Sequence, residues 1–280
     1  MTTLLIDGDI FAYRCAAAEE RGYDFGGIYS LQADPEIGIE NLDALIENFA
    51  SRLDASDIIV ALTHSENFRK SVLPTYKANR KDVRKPMILG ELRDHLIKKY
   101  KTYIRPKLEA DDVLGILATN PHVIKGKKVI VSVDKDLRTI PAWHWNPDAE
   151  GVTGAKPVLV SEHEADAFFY SQILSGDVTD GYGGCPNIGK KRAKEIVENP
   201  VMLVKQEHIL KSGKSKGKPC IKWVSEPTTD IWASIVSHYE KAGLTEEDAL
   251  VQARCARILR HQDYNYKTKE PILWTPKNHK

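Results

Sequence analysis

A chain of 280 residues, 42% of them hydrophobic, is long enough for one large core or two modest ones, and its composition matches neither a disordered, a collagen-like nor a repeat protein. Its longest apolar runs, at 58–62 and 129–131, fall far short of the roughly 20 residues that span a bilayer, so no membrane partner is expected. The N-terminus MTTLLID reaches a carboxylate almost at once and does not read as a signal peptide, which sets a cytoplasmic expectation.

The formal net charge is only +1, but the charges are segregated. Residues 69–107 hold thirteen Lys or Arg against three acids, and residues 190–222 hold ten against three. Basic strips beside acidic knots suit a polyanion steered toward bound metal, although either strip alone could be a solvated helix face. Cys15, Cys185, Cys220 and Cys255 show neither CxxC spacing nor a nearby zinc-type histidine and read as free thiols.

In chain order, Leu4-Leu5-Ile6 is a short strand ending at Asp7, and the small residues 12–18 read as a helix, with Asp9 as its cap. Ile39, Leu42, Leu45, Ile46, Phe49 and Leu53 recur at helical spacing, and 57–63 reads as the second strand. A helix over 90–100, a strand over 102–105, a helix over 109–118 and a strand over 128–133 continue the alternation. That order predicts an α/β fold with a parallel sheet flanked by helices. Ligands bind beyond the carboxyl ends of such strands, where Asp7, His64 and Asp134 fall. After Asp177 a Gly-rich turn, a basic helix and a Lys-Gly-Ser stretch over 211–218 predict a second, mainly helical DNA-binding region. Helices near 230–242 and 245–260 follow, the last opened by the capping sequence Thr245-Glu-Glu-Asp248.

Four segments carry acids: Asp7-Gly-Asp9, Glu109-Ala-Asp111-Asp112, Asp134-Lys-Asp136 and Asp177-Val-Thr-Asp180. Glu109 and Asp112 share a helix face, although helix-dipole stabilisation explains acids in a first turn equally well. Asp134 and Asp136, two apart after a strand, are expected to point the same way and to repel unless a cation lies between them. Oxygen donors without His or Cys clusters suit Mg²⁺ or Mn²⁺, and two such ions about 4 Å apart can drive in-line displacement at phosphorus. Gly184-Cys-Pro-Asn-Ile-Gly189-Lys190 opens like a P-loop, but Lys191 stands where Ser or Thr should be and no apolar strand precedes it. A helix-hairpin-helix turn fits better, with Lys190, Lys191 and Arg192 supplying charge to a phosphate.

Five motifs in order, LLIDGDIFAYR, PTYKANRK, LEADDVLGILA, VSVDKDL and LSGDVTDGYGGCPNIGKKRA, make the sequence resemble the flap endonuclease and 5′ nuclease superfamily, closest to the 5′-to-3′ exonucleases of T-seven-like phages. The likeness extends through ILKSGKSKGK, AGLTEEDA and CARILR. It implies a PIN-like nuclease core over 1–175 with a helical arch at about 65–107, and a helix-hairpin-helix and C-terminal helical DNA-binding region over 176–280. It implies two Mg²⁺ ions, replaceable by Mn²⁺, on Asp7, Glu109, Asp111, Asp112, Asp134, Asp136, Asp177 and Asp180, with K⁺ at the helix-hairpin-helix. Lys77 and Arg80 would contact the scissile phosphate, Tyr76 would stack on a terminal base, and Lys81, Gly189, Lys190, Lys191 and Arg192 would hold DNA.

His64 stands where the family usually has a further aspartate, and a neutral imidazole there could ligate or orient a metal-bound water. The activity implied is 5′-to-3′ hydrolysis of duplex DNA, extending to flaps and to RNA in RNA–DNA hybrids, in phage replication, primer removal, recombination and host DNA degradation. The setting would then be the host bacterial cytoplasm. The residues leave open a structure-specific DNA-binding module with weak or lost nuclease activity, a nucleotide-hydrolysing machine and a PIN-type endoribonuclease.

Overall fold

In the computed structural model, residues 1–149, 156–209 and 217–277 are described. They form two compact units: Met1–Phe68, Arg80–Ala165 and Ile258–Leu273 make the first, and Arg69–Asn79, Asp166–Arg257 and Trp274–Lys280 the second. This differs from the expected division at 175/176, because the chain returns to the first unit near its C-terminal end. No helix among the described residues is long and apolar enough to cross a membrane.

The first unit is built on β1 (Thr2–Asp7), α1 (Gly8–Glu19), β2 (Arg21–Asp24), β3 (Tyr29–Gln32), α2 (Pro35–Arg52) and β4 (Asp57–Ala61). Leu4, Leu5, Ile6, Ile59, Val60 and Ala61 are fully buried, as strands covered on both faces must be. In the second unit lies a short α3 (Arg69–Val72); α4 (Leu89–Lys99), β5 (Lys101–Tyr103), α5 (Ala110–Thr119), β6 (Lys127–Val131), β7 (Trp143–Trp145) and β8 (Val158–Leu159) then complete the first. The sheet order is β5-β4-β1-β6-β7-β8, parallel except for β8.

Two apolar layers cover this sheet. Phe11, Ile46, Phe49, Leu92 and Leu96 pack on one face, and Val113, Leu114, Leu117 and Ile258 on the other. Leu92 and Leu96 make α4, which falls within the expected arch at about 65–107, a core helix. The returning segment is bonded into α5 and its surroundings: Leu259 N–H donates to Asp112 Oδ1 at 3.1 Å, Arg260 Nη2 to Thr139 O at 3.0 Å and His261 N–H to Thr119 Oγ1 at 2.8 Å.

The second unit holds most of α6 (Glu162–Ser175), with α7 (Lys190–Glu198), β9 (Val201–Ile209), β10 (Pro219–Pro227), α8 (Ile231–Lys241) and α9 (Glu246–Ala256). The expected capping box is present, with Asp248 N–H donating to Thr245 Oγ1 at 3.3 Å. Tyr76, Phe169, Ile173 and Tyr239 centre its core. Arg69 is buried there and donates to the carbonyls of Cys255 at 2.9 Å and Arg257 at 2.6 Å, tying α3 to the end of α9. Beside these helices, Val201–Ile209 and Pro219–Pro227 form a two-stranded antiparallel ribbon that the helical expectation did not include. Most of the Lys-Gly-Ser stretch, 211–216, lies outside the described residues.

Candidate active site and nucleic-acid interface

The Asp-Gly-Asp motif turns β1 directly into α1. Asp7 rather than Asp9 is the N-cap, accepting the Ile10 N–H at 3.3 Å. Gly8 is required by crowding, since a Cβ there would lie 2.5 Å from Val60 Cγ1 and 3.0 Å from Ala61 O. Asp9 accepts the Thr63 N–H at 2.7 Å and pairs with Arg93, which also donates to Thr63 O at 2.8 Å. The expectation of Asp9 as the cap is thereby corrected. A helix starting at Gly8 leaves only Asp7 outside its first turn.

Asp7 aligns with Ala61 of β4, and Ile6 with Val131 of β6, so the loops after all three strands share one sheet edge. There the buried Ser132 donates from Oγ to Asp7 Oδ2 at 2.8 Å and accepts the Asp134 N–H at 3.0 Å. Asp134 Oδ1 in turn accepts the Asp136 N–H at 2.8 Å. β6 stops at Val131, earlier than expected, so Asp134 and Asp136 occupy a turn and the start of a 3₁₀ helix (Asp136–Thr139) rather than an extended segment. Their alternation-based alignment is a further correction. Ser132 was missed because nothing local marks it; its partner is 125 residues away.

On the neighbouring strand's side, Thr63 Oγ1 accepts the Ala110 N–H at 3.0 Å, fixing the start of α5 to the β4 loop. Glu109 and Asp112 form the N-terminal capping box of α5, with Glu109 N–H donating to Asp112 Oδ2 at 3.2 Å. Asp112 is 0% exposed and takes the Leu259 N–H on its other oxygen. Each of its oxygens accepts a backbone N–H, which ties the start of α5 to the returning segment. His64 Nδ1 accepts the N–H groups of Glu66 at 3.1 Å and Lys107 at 3.3 Å, while the His64 backbone N–H donates to Leu108 O at 3.0 Å. A neutral ring accepting at Nδ1 carries its proton on Nε2 and offers no lone pair there to a cation. His64 thus clips the β4 loop to the segment before Glu109, and the ligand reading is corrected.

Asp177 and Asp180 share one turn of the second unit. Asp177 Oδ1 accepts the Thr179 N–H at 2.7 Å, and Asp180 Oδ2 accepts the Tyr76 hydroxyl at 2.9 Å with Lys77 Nζ 3.5 Å away. Tyr76 is 2% exposed, so its ring is core and is not available to stack on a base; that expectation too is corrected. Arg80 and Lys81 are exposed in the first unit.

Gly176 and Gly184, both at positive φ, allow the two arms of the following turn to touch: a Cβ on Gly184 would lie 2.3 Å from Gly176 N. Gly189 then caps α7, whose first turn contains no acid but carries Lys190, Lys191 and Arg192. Cations at the positive end of a helix dipole are unfavourable unless an anion joins them. These residues and Glu195 line an open depression of about 580 Å³.

Among the described residues, no three His, Cys, Asp or Glu side chains form a ready-made metal cage. The donors nonetheless fit a hard divalent cation: Asp7 and Glu109 are buried carboxylates, Ser132 bonds Asp7 to the Asp134–Asp136 segment, and Asp111 lies beside Glu109 in the first turn of α5, which Thr63 ties to the β4 loop.

Residues 2–144 match the family of the 5′-3′ exonuclease N-terminal, resolvase-like domain. The chain belongs to the 5′-3′ exonuclease family. It is 37% identical to the exonuclease of Escherichia phage T7 over an alignment of 284 positions, covering 98% of this chain and 93% of that protein. The exodeoxyribonuclease of Enterobacteria phage T3 is 36% identical with the same coverage. The flap endonuclease Xni of Shewanella baltica is 32% identical over 143 positions, 48% of this chain and 54% of that one. In fold the chain resembles the bacteriophage T5 D15 flap endonuclease, solved with DNA and metal ions, at a TM-score of 0.53 and 18% identity, over 71% of this chain and 75% of that one.

Proposed function

We propose that this 5′-3′ exonuclease family member hydrolyses phosphodiester bonds of duplex DNA from the 5′ end, with divalent metal held at the carboxyl edge of the sheet. The hydrogen-bonded run Asp7–Ser132–Asp134–Asp136 carries this reading, because it fixes three acids from two neighbouring strand ends on one edge. Asp7, Glu109, Asp111, Asp134 and Asp136 are the proposed ligands in the first unit, and the family resemblance adds Asp177 and Asp180 of the second. Two Mg²⁺ ions, or Mn²⁺, would supply the Lewis acidity that activates water and offsets charge at phosphorus.

The remaining chemistry belongs to the chain. Ser132 orients Asp7, the capping box aims Glu109 and Asp111, and His64 fixes the loop between them. Lys77 and Arg80 neutralise the phosphate, a contribution worth a few kcal/mol when donors are preorganised. Lys190, Lys191 and Arg192 grip the duplex backbone with the N-terminus of α7, where the family resemblance implies that K⁺ would be held and would add positive charge toward phosphate. Such contacts carry no base information, so cleavage should show little sequence preference. Activity on flaps, the reaction named for the Xni and D15 relatives, is part of the same proposal.

The test is a time course on duplex DNA labelled separately at each end, with Mg²⁺, with chelator and with Asp134→Ala. Early metal-dependent release of the 5′ label, abolished by the substitution, is expected. Early release of the 3′ label, or cleavage that survives the chelator, would overturn the proposal.

A further inference from the structure

The proposed chemistry makes no use of the β9–β10 ribbon. Its strands pair over nine residues each, from Val201↔Pro227 to Ile209↔Pro219. At about 3.4 Å per residue that is roughly 30 Å, or some nine base pairs of duplex. Only the base is anchored: Leu203 is buried and its N–H donates to Ser237 Oγ at 2.9 Å, while Ser234 Oγ donates to Val201 O at 2.8 Å, both serines lying on α8. From Lys205 outward every β9 residue is exposed.

A two-stranded ribbon with both faces in water gains little from its own burial, so its length is not explained by stability. Residues 205–222 contain six lysines and a single acid, Glu207. Lysines on open strand edges discourage unwanted pairing with other chains, and this would account for some of them. It does not account for Ile209 and Ile221, 64% and 66% exposed, which by strand alternation share a face with Lys205 and Trp223. A ribbon guarded only against association would not present isoleucines beside its lysines.

We infer that the ribbon is a second duplex-binding arm: Ile209 and Ile221 pack against deoxyribose on the face that carries Lys205, while Lys222, on the opposite face by alternation, and Lys218, just before β10, reach the flanking phosphates. The inference rests on the nuclease reading for the identity of the polyanion. A two-stranded ribbon fits the major groove in width, and Lys205, Lys218 and Lys222 against the single acid Glu207, among the described residues from 205 to 222, suit a backbone bearing a charge every 1.7 Å or so of duplex axis. The arm follows α7 after only Asn199 and Pro200, so the exposed Lys190–Arg192 turn and the ribbon are successive parts of one basic stretch.

The full chain carrying Lys205→Gln, Lys218→Gln and Lys222→Gln is titrated with a duplex several turns long, in chelator, across a salt series. Each lost phosphate contact lowers the slope of log K against log salt by about 0.9, so the triple variant should lose about 2 to 3 in slope and bind at least tenfold more weakly near physiological salt. Lys222→Glu alone should weaken binding in the same direction. Equal affinity and slope for wild type and both variants would overturn the inference and leave the lysines as edge guards. Because binding is read without cleavage, a wild type that binds in this way but never cuts would sink the nuclease reading and not the arm.

Discussion

Ser132 Oγ lies 2.8 Å from Asp7 Oδ2 and receives the Asp134 N–H at 3.0 Å, so one hydroxyl sets the positions of two acids on neighbouring strands. Ser132→Ala removes a donor from a buried carboxylate and an acceptor from a backbone N–H. A loss of about 1–3 kcal/mol is expected. Single-turnover cleavage should fall at least tenfold while DNA affinity in chelator stays unchanged. Urea melts and quench-flow assays check both, and a variant cutting at the wild-type rate would remove Ser132 from the site.

If His64 acts through Nδ1 as a backbone acceptor, an amide oxygen can replace it. His64→Asn should keep most of the activity, whereas His64→Ala should lose it and soften the segment before Glu109. The Mg²⁺-to-Mn²⁺ rate ratio should be the same in wild type and His64→Asn. A marked change in that ratio would restore the imidazole as a metal ligand.

Tyr76 offers a comparable separation. Tyr76→Phe keeps an aromatic face but loses the hydrogen bond to Asp180, at a cost of about 1 kcal/mol. A stacking role predicts unchanged activity for Phe; the role seen here predicts that both thermal stability and cleavage decline. Cleavage by Tyr76→Phe at the wild-type rate would decide for stacking.

Gly8→Ala forces a methyl into Val60 and the Ala61 carbonyl. Overpacking of this kind costs about 1–3 kcal/mol and would tilt α1 away from Asp7. Lower melting temperature together with a reduced rate is the expected pair of results, measured by calorimetry and by the end-label assay.

His144 and His238 give a pH dependence with a definite sign. Burial pushes both pKa values below the ordinary histidine value, against an opposing hydrogen bond to Ile140 O in one case and to Ser234 O in the other. The folded rings therefore stay neutral where the unfolded chain, with pKa near 6.5, takes up protons. Stability should be flat in this respect above that pH and fall as pH drops below it. Urea midpoints measured from about pH 7.5 to 5.5 should decline, less steeply in His144→Gln; a level series would contradict the assignment.

The central sheet was legible because its strands are short apolar runs ending in polar residues: 4–6 before Asp7, 58–62 before Thr63, and 129–131 before Ser132. The capping acid was misassigned since Asp7 and Asp9 both precede an apolar helix, and only the crowding of Gly8 against β4 decides between them. Tyr76 looked like a surface aromatic among lysines, and its burial depends on residues about a hundred positions away. The ribbon was unreadable for a related reason: its exposed outer half lacks the alternation that a packed face would impose on the sequence.

The return of residues 258–273 to the first unit bears on how the protein is made. Asp112 receives its bond from Leu259, and Arg260 and His261 reach Thr139 and Thr119, so the scaffold around the acids is finished by a segment 147, 121 and 142 residues downstream of its partners. A chain still being translated has every proposed ligand but lacks the segment that braces α5. A nuclease so arranged would mature only once residues 259–261 have been added, and a chain cut back to the stretch that defines its family would lose the brace along with the second unit.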